Sequence, residues 1–339
     1  MISDIPERKI EMVHLQLTSR CNLNCWFCGQ KKKDWSKIKS EELSTEEWLG
    51  IIRWLEEYSA AVGVKPVIMI WGGEAMLSSA FVPVVKRLYT GNFTLGMVTN
   101  GTLFEKNLDL ISECFQKIYI SVDGNEEIHD AIRGKGVYKK IQKNLSMLKP
   151  GRPQKILMTV LTDSVISHLK EILLGFQDLK PDGVILQDMI FMEDKEIKKY
   201  KEWLWEDFGI YGKDIDAWFG TEEDRKQRDE IRRKCREELK KIKLPYKIQY
   251  LPHIPVRDEN YCLSPFRHIH ITWNGQMSFC TDYTDFSCGS VRKENPDILF
   301  LNNRAEAFRK AVMEGKCVAC EHIKMKTFYS SLFFLSCIV

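Results

Sequence analysis

The stretch CNLNCWFC, Cys21 to Cys28, sets three thiols into eight residues with the spacing C-x3-C-x2-C, and no fourth cysteine lies nearby. Four thiolates would close a zinc tetrahedron or complete a ferredoxin cluster. A motif that stops at three either takes its last ligand from far along the chain or keeps a position open. The run directly follows VHLQLT (13–18), the first strand candidate. In parallel α/β folds chemistry collects where loops leave the C-terminal ends of strands, so the thiols stand where a reaction site would be built.

Working outward, β-rich runs alternate with helical patterns over the first 190 or so residues. After 13–18 come VIMIW (67–71), FTLGMVT (93–99), KIYISV (117–122), KILMTVL (155–161) and GVILQDM (183–189). Helical periodicity falls near 45–61, 79–90, 104–115, 137–148 and 164–177. Ser44 or Thr45 leads into glutamates and predicts a capping box at the first of these. Six βα units with mostly apolar strands predict a parallel sheet covered by helices, open or curled into a partial barrel. The strand ends carry WGGEAML, TNG and SVDGNEEIHDAIRG. Their glycines let backbone come close to a ligand, and Glu74 offers an acceptor beside it.

The remainder changes style twice. Residues 193–255 are read as a charged helical connection, because EEDRKQRDEIRRKCREELKKIK balances both signs around a stripe of Ile231, Cys235, Leu239 and Ile242. Matched acids and bases argue for an exposed, ion-paired helix and against a nucleic-acid helix. Residues 256–339 are read as a small separate domain following a first domain over 1–192. There HIHITW and QMSFC flank Asn274-Gly275, which predicts a two-residue hairpin turn with φ above zero at both positions. His268 and His270 are expected as hairpin-face residues. A helix near 303–314 follows, and FYSSLFFLSCIV at the end reads as a final helix covering a core.

Bulk numbers exclude several classes. The 339 residues carry a net charge of +3, with 44% hydrophobic and 29% charged residues. That balance points to neither nucleic acid nor acidic lipid. The N-terminus has no apolar run of an export signal, and the apolar C-terminal stretch is too short to span a bilayer. The expected location is cytoplasmic. Eleven cysteines in a reducing compartment suggest metal binding more than disulfides.

The residues now quoted carry a resemblance. The chain resembles radical S-adenosylmethionine (SAM) enzymes, in the branch with a C-terminal SPASM or Twitch extension, over roughly residues 11–325. The resemblance implies a partial (β/α)6 TIM-like barrel in an α/β fold. It implies that Cys21, Cys25 and Cys28 hold a 4Fe-4S cluster whose fourth iron is left for the amino and carboxylate groups of SAM, with Phe27 as the aromatic before the last cysteine. Reductive cleavage then gives methionine and a 5′-deoxyadenosyl radical that takes hydrogen from a C–H bond. The resemblance also implies that Gly72, Gly73 and Glu74 contact the methionine amino group. Asn100, Ser121 and Arg133 match cofactor-side positions, although strand-end turns and caps would use the same residues. Ala75 departs from the family's usual proline, which changes loop stiffness and leaves the ligand chemistry as it was.

A second set follows the pattern C-x12-G-x4-C from Cys262 through Gly275 to Cys280, with Cys317 and Cys320 as a C-x2-C pair. By resemblance these four hold one auxiliary 4Fe-4S cluster, and a zinc knuckle on the same thiolates is the alternative. The expected function is oxidation of a substrate C–H bond, a dehydrogenation or crosslinking of a peptide or carbohydrate-like molecule, with the auxiliary cluster taking up the electron. Asp188 and Asp282 are candidate proton acceptors. The alternatives are an epimerase with Cys288 as hydrogen donor and a two-cluster electron-transfer protein. A flavodoxin or ferredoxin-type donor is the expected redox partner, and no nucleic acid or membrane partner is expected.

Overall fold

The computed structural model describes residues 7–29, 41–149, 151–189, 192–251 and 262–317. Seven parallel strands run in chain order: β1 Met12–Gln16, β2 Val67–Trp71, β3 Leu95–Thr99, β4 Lys117–Ser121, β5 Gln154–Leu161, β6 Gly183–Asp188 and β7 Lys247–Leu251. The first six are the strands expected from sequence. The seventh was hidden, because KIQYL sits between a charged helix and a segment without pattern. Next to β1 on its other side lies β8 His268–Ile271, also parallel, followed by antiparallel β9 Gln276–Ser278 and β10 Gly289–Ser290. The ten strands among the described residues form one sheet in the order β10-β9-β8-β1-β2-β3-β4-β5-β6-β7.

Two apolar layers explain the curl. Val13, Leu15, Ile68, Ile70, Ile118, Ile120, Leu157 and their neighbours on one face pack against the helices. On the other face Met12, Met69, Tyr119, Ile156 and Ile185 meet one another, with Val98 and Met158 against them. Side chains two apart on a strand share a face, so this second cluster fills the concave interior at its N-terminal end and leaves the C-terminal end for polar groups. The fold is α/β with a partial barrel.

Helices form where periodicity placed them. Thr45–Val62 begins with the expected capping box, Ser44 accepting from the Glu47 N–H while the Glu47 carboxylate takes the Ser44 N–H. Phe81–Thr90, Val137–Ser146 and Asn303–Met313 also match. The 104–115 pattern shortens to Leu108–Cys114, and 164–177 divides into Asp163–Ser167 and Leu169–Gly175. Glu222–Leu239 is the ion-laced helix expected, with Ile231 and Cys235 buried and pairs such as Arg233–Glu237 along its surface.

The hairpin exists, but its turn differs from the expected one. Only Gly275 has positive φ, at 82°, and its N–H returns to the Thr272 carbonyl at 2.9 Å. Trp273 adds a third loop residue, giving a type I turn closed by a left-handed glycine in place of the two-residue turn. The segment read as a final helix, 328–339, lies outside the described residues. No helix among the described residues is long and apolar enough to cross a membrane.

Candidate active site

The cysteine loop leaves β1 at the C-terminal edge of the sheet, and the loops after β2, β3 and β4 close around it. Cys25 is buried, Cys28 half-buried and Cys21 exposed. Although Cys21 is exposed as a residue, partial loss of water around its sulfur raises the thiol, opposed by a bond from the Leu23 N–H and helped by the nearby charges of Glu74, Cys25 and Cys28. Burial likewise raises Cys25, against the pull of the Arg133 guanidinium. The Cys28 N–H donates to the Cys25 carbonyl at 3.2 Å, which turns the loop back on itself between the last two thiols.

The loop after β2 can lie against this run only because its residues are small. A Cβ on Gly72 would stand 2.6 Å from the Thr18 carbonyl oxygen, and one on Gly73 2.2 Å from that of Arg20. Both neighbours are backbone and cannot yield. Hydrogen bonds fix the contact, from the Gly73 N–H to Thr18 O at 2.9 Å and from the Glu74 N–H to Arg20 O at 2.8 Å.

Glu74 is fully buried. Its carboxylate takes the Thr99 hydroxyl and the Asn100 N–H, both at 2.9 Å, so it ties the loop after β2 to the loop after β3. Burial raises its carboxyl to about 6 in spite of these donors. Asn100 in turn presents its side-chain amide to Asn22 at 2.9 Å and to the Cys21 sulfur at 3.9 Å. Its carbonyl oxygen accepts from the Thr102 N–H and hydroxyl, which sets the amide so that its NH2 faces the thiol. Donors around cluster thiolates tune both potential and geometry.

Arg133, the last residue of helix Glu126–Arg133, reaches Cys25 from the opposite side. Its Nη1 lies 3.7 Å from the Cys25 sulfur, its Nε 2.5 Å from the Asp123 carboxylate, and its guanidinium 5.6 Å from the centre of the Phe27 ring. Asp123 is fully buried and also accepts the Val160 N–H at 2.8 Å. Asp123 belongs to the quoted SVDG motif, yet nothing in the sequence singled it out as the partner that orients Arg133. Ser121 ends β4, half-buried, on the same sheet face as Tyr119.

The candidate proton acceptors and hydrogen donor differ in their surroundings. Asp188 is buried and paired with Arg232 and the Tyr250 hydroxyl, a fixed ion pair at the end of β6. Cys288 is 3% exposed, and burial pushes its thiol up to about 12, against the pull of Arg309 and Arg304. It belongs to the apolar core with Phe279 and Phe286. Asp282 follows Cys280, and its carbonyl accepts the Trp218 indole N–H at 3.1 Å.

Three residues of the second thiol set are among the described residues. Burial raises the Cys280 thiol, with the charges of Asp282 and Cys262 adding to it. The phenol of fully buried Tyr200 is raised by burial first, then by Asp285 and by the thiols of Cys317 and Cys280. Cys262, Cys280 and Cys317 are all half-buried and pack against the same apolar core. Cys320 lies outside the described residues.

Sequence reasoning also missed a cavity of about 200 Å3 beside the first thiol set, whose lining includes Trp26, Leu161, Met189, Gln227, Arg228 and Ile231. Trp26, next to Cys25, is 51% exposed. The opposing wall comes from helix Glu222–Leu239, whose sequence reads as a plain charged helix and gives no sign of this placement.

Residues 15–174 match the family model of the radical SAM superfamily, and residues 262–321 match that of an iron–sulfur cluster-binding domain, SPASM. The sporulation killing factor maturation protein SkfB of Bacillus subtilis is 30% identical over 47% of this chain and 37% of its own length. The AdoMet-dependent heme synthase of Methanosarcina barkeri is 24% identical over 93% of this chain and 89% of its own. Among solved structures, SuiB of Streptococcus suis bound to its precursor peptide SuiA superposes with a TM-score of 0.61 at 12% identity, covering 89% of this chain and 67% of that one. The chain thus spans little more than a third of SkfB.

Proposed function

This chain belongs to the radical SAM superfamily, in the branch with a SPASM iron–sulfur domain, and we propose that it oxidises a C–H bond of a peptide substrate. The two domains imply a 4Fe-4S cluster with SAM and auxiliary iron–sulfur chemistry. Bound at the first site, the cluster and SAM supply a low-potential electron and a 5′-deoxyadenosyl radical. The residues that would hold them are Cys21, Cys25 and Cys28, with Gly72, Gly73 and Glu74 along the methionine end and Phe27, Asn100, Ser121 and Arg133 around it.

The donor set fits. Three thiols lie on one eight-residue loop at the barrel mouth, and thiolates are the donors that iron–sulfur clusters take. The observation that carries the reading is this three-thiol site closed by a glycine loop that leaves no room for a Cβ. An electron-transfer protein needs no such cradle.

The chain's own residues divide the remaining work. Arg133, oriented by Asp123, sets positive charge beside Cys25, and the Asn100 amide steadies Cys21 from the other side. The cavity beside Trp26 would seat the substrate group, since it opens next to the cysteine loop. The names of SkfB, a maturation protein, and of SuiB bound to the precursor peptide SuiA support a peptide over a carbohydrate. Oxidation is favoured over epimerisation because Cys288 is buried in the aromatic core, where a thiol cannot hand hydrogen to a substrate. Cys262, Cys280, Cys317 and Cys320 would hold the auxiliary cluster that accepts the electron, and a flavodoxin or ferredoxin-type protein would supply the first one.

The test is anaerobic reconstitution of the wild type and of a variant with Cys21, Cys25 and Cys28 all changed to alanine. The wild type should bind about eight irons per chain, two four-iron clusters, and form 5′-deoxyadenosine with a strong reductant. The variant should bind about half the iron and form none. Equal rates of 5′-deoxyadenosine formation would remove the assignment.

A further inference from the structure

The Trp218 side chain touches the loops of both thiol sites. We propose that Trp218 couples them, so that an ordered auxiliary site strengthens SAM binding at the first; this rests on the two-cluster reading above. On one side, the indole lies flat on Gly29, the residue after Cys28. A Cβ there would come within 2.7 Å of two indole carbons, so the glycine is what allows the ring to touch the cysteine loop. On the other side, the indole N–H donates to the Asp282 carbonyl at 3.1 Å, and the ring meets Tyr283 edge-on at 6.2 Å. The Tyr283 N–H points to the Cys280 sulfur at 3.5 Å. Cys28 and Cys280 are therefore joined through Gly29, Trp218 and Tyr283.

The auxiliary loop also fixes the element that carries Trp218. The short helix Asp214–Trp218 begins at Asp285, whose carboxylate accepts the N–H groups of Lys213 and Asp214 at 2.7 Å and of Ile215 at 3.0 Å. Thr284 donates to the Asp214 carboxylate at 2.5 Å. Both ends of this helix are thus bonded to residues 282–285, directly after Cys280. From the barrel side the Met192 N–H holds the Trp218 carbonyl at 2.7 Å.

The direction of the coupling follows from ordering. When thiolate ligation fixes Cys280, it fixes the loop that positions Trp218, and with it the ring against Gly29 and Cys28. A preorganised cysteine loop then loses less freedom when SAM binds. Coupling between sites is reciprocal and commonly amounts to roughly 5- to 150-fold in affinity. A structural wedge without coupling would lower stability and leave the two sites independent.

The experiment uses the reconstituted full chain and titrates SAM while following the electron paramagnetic resonance spectrum of the reduced first cluster. Iron content is measured alongside. Emptying the auxiliary site by Cys262→Ser with Cys280→Ser should weaken SAM binding about 5-fold or more. Trp218→Ala should weaken it similarly with the iron of both sites retained. Emptying the auxiliary site in the Trp218→Ala background should then change nothing further. Trp218→Phe, which keeps the ring face, should restore most of the coupling. Gly29→Ala displaces the ring without altering it and should behave as Trp218→Ala does, which covers the case that the alanine variant fails to fold. The proposal is overturned if emptying the auxiliary site leaves SAM affinity unchanged, or if the two effects multiply. Wild-type protein that bound iron but no SAM would overturn the radical SAM reading, and wild-type protein with only about four irons the two-cluster reading; either would take this proposal with it.

Discussion

Glu74 stands at the meeting of two loops, and its burial makes a single substitution informative. Glu74→Ala would leave the Thr99 hydroxyl and the Asn100 N–H without their acceptor, a cost of about 1–3 kcal/mol for each buried group left unpaired. It would also release the Asn100 amide from its setting beside Cys21. The expected outcome is a lower melting temperature together with weaker SAM binding, read by thermal denaturation and titration; an unchanged SAM affinity would leave Glu74 a loop brace alone. Arg133 offers a parallel case. Its ion pair with Asp123 is nearly sealed, the side chains being 10% and 0% exposed, so Arg133→Ala strands a buried carboxylate. Removing one partner of such a pair typically costs about 3–5 kcal/mol, and denaturant unfolding should show a loss of that order. Loss below about 1 kcal/mol, the range of exposed pairs, would show that Asp123 finds another partner.

At the scale of elements, β1 and β8 carry a histidine group that sequence pattern treated as a hairpin face. His14 and His268 touch through Nδ1 and Nε2 at 2.7 Å, and His270 shares the same register row as His14. Burial lowers His14 well below its ordinary range, with the charges of His268 and His270 adding to it. Burial, then His270, lowers His268 to about 3. A histidine held neutral in the fold but free to protonate when unfolded stabilises the fold above its unfolded value near 6.5. That stability is lost as pH falls toward the folded value. For His268 alone the loss between pH 6.5 and 5 is about 2 kcal/mol, so denaturation midpoints at pH 7.5 and 5 should differ clearly. Coincident midpoints would mean that the rings are not buried in the neutral form. This pairing was illegible in the sequence because β8 lies 252 or more residues after β1, and no local pattern records a parallel pairing made at that distance. The first six strands were legible for the opposite reason, since each pairs with the strand before it in the chain across a helical connection. The GGE loop and the thiols were legible as motifs, whereas Asp123, Trp26 and Trp218 were not. Their roles arise from which loops meet, and meeting is settled by the curl of the sheet.

At the scale of the molecule, the C-terminal residues are continuous with the barrel sheet. Strand β8 covers the edge of β1 over four residue pairs, and one apolar core runs from the barrel helices through Phe279, Phe286, Phe300 and Phe308. Arg309 closes that end, 2% exposed along its side chain, with its Nε donating to the Pro265 carbonyl at 2.8 Å and its guanidinium 4.4 Å from the Phe300 ring centre. A boundary near 255 read from composition therefore crosses hydrogen bonds and core contacts alike. A chain ended after residue 251 would bare the β1 edge and the apolar surface that β8 and helix Asn303–Met313 cover. Open edges beside apolar surface pair with other chains. The shortened chain should thus aggregate or lack a cooperative thermal transition, while the full chain should lose far-UV circular dichroism and tryptophan fluorescence together in one step, the sign of a single cooperative unit. A soluble monomer of 1–251 melting near the temperature of the full chain would show instead that the barrel stands alone and that β8 is an addition to a finished fold.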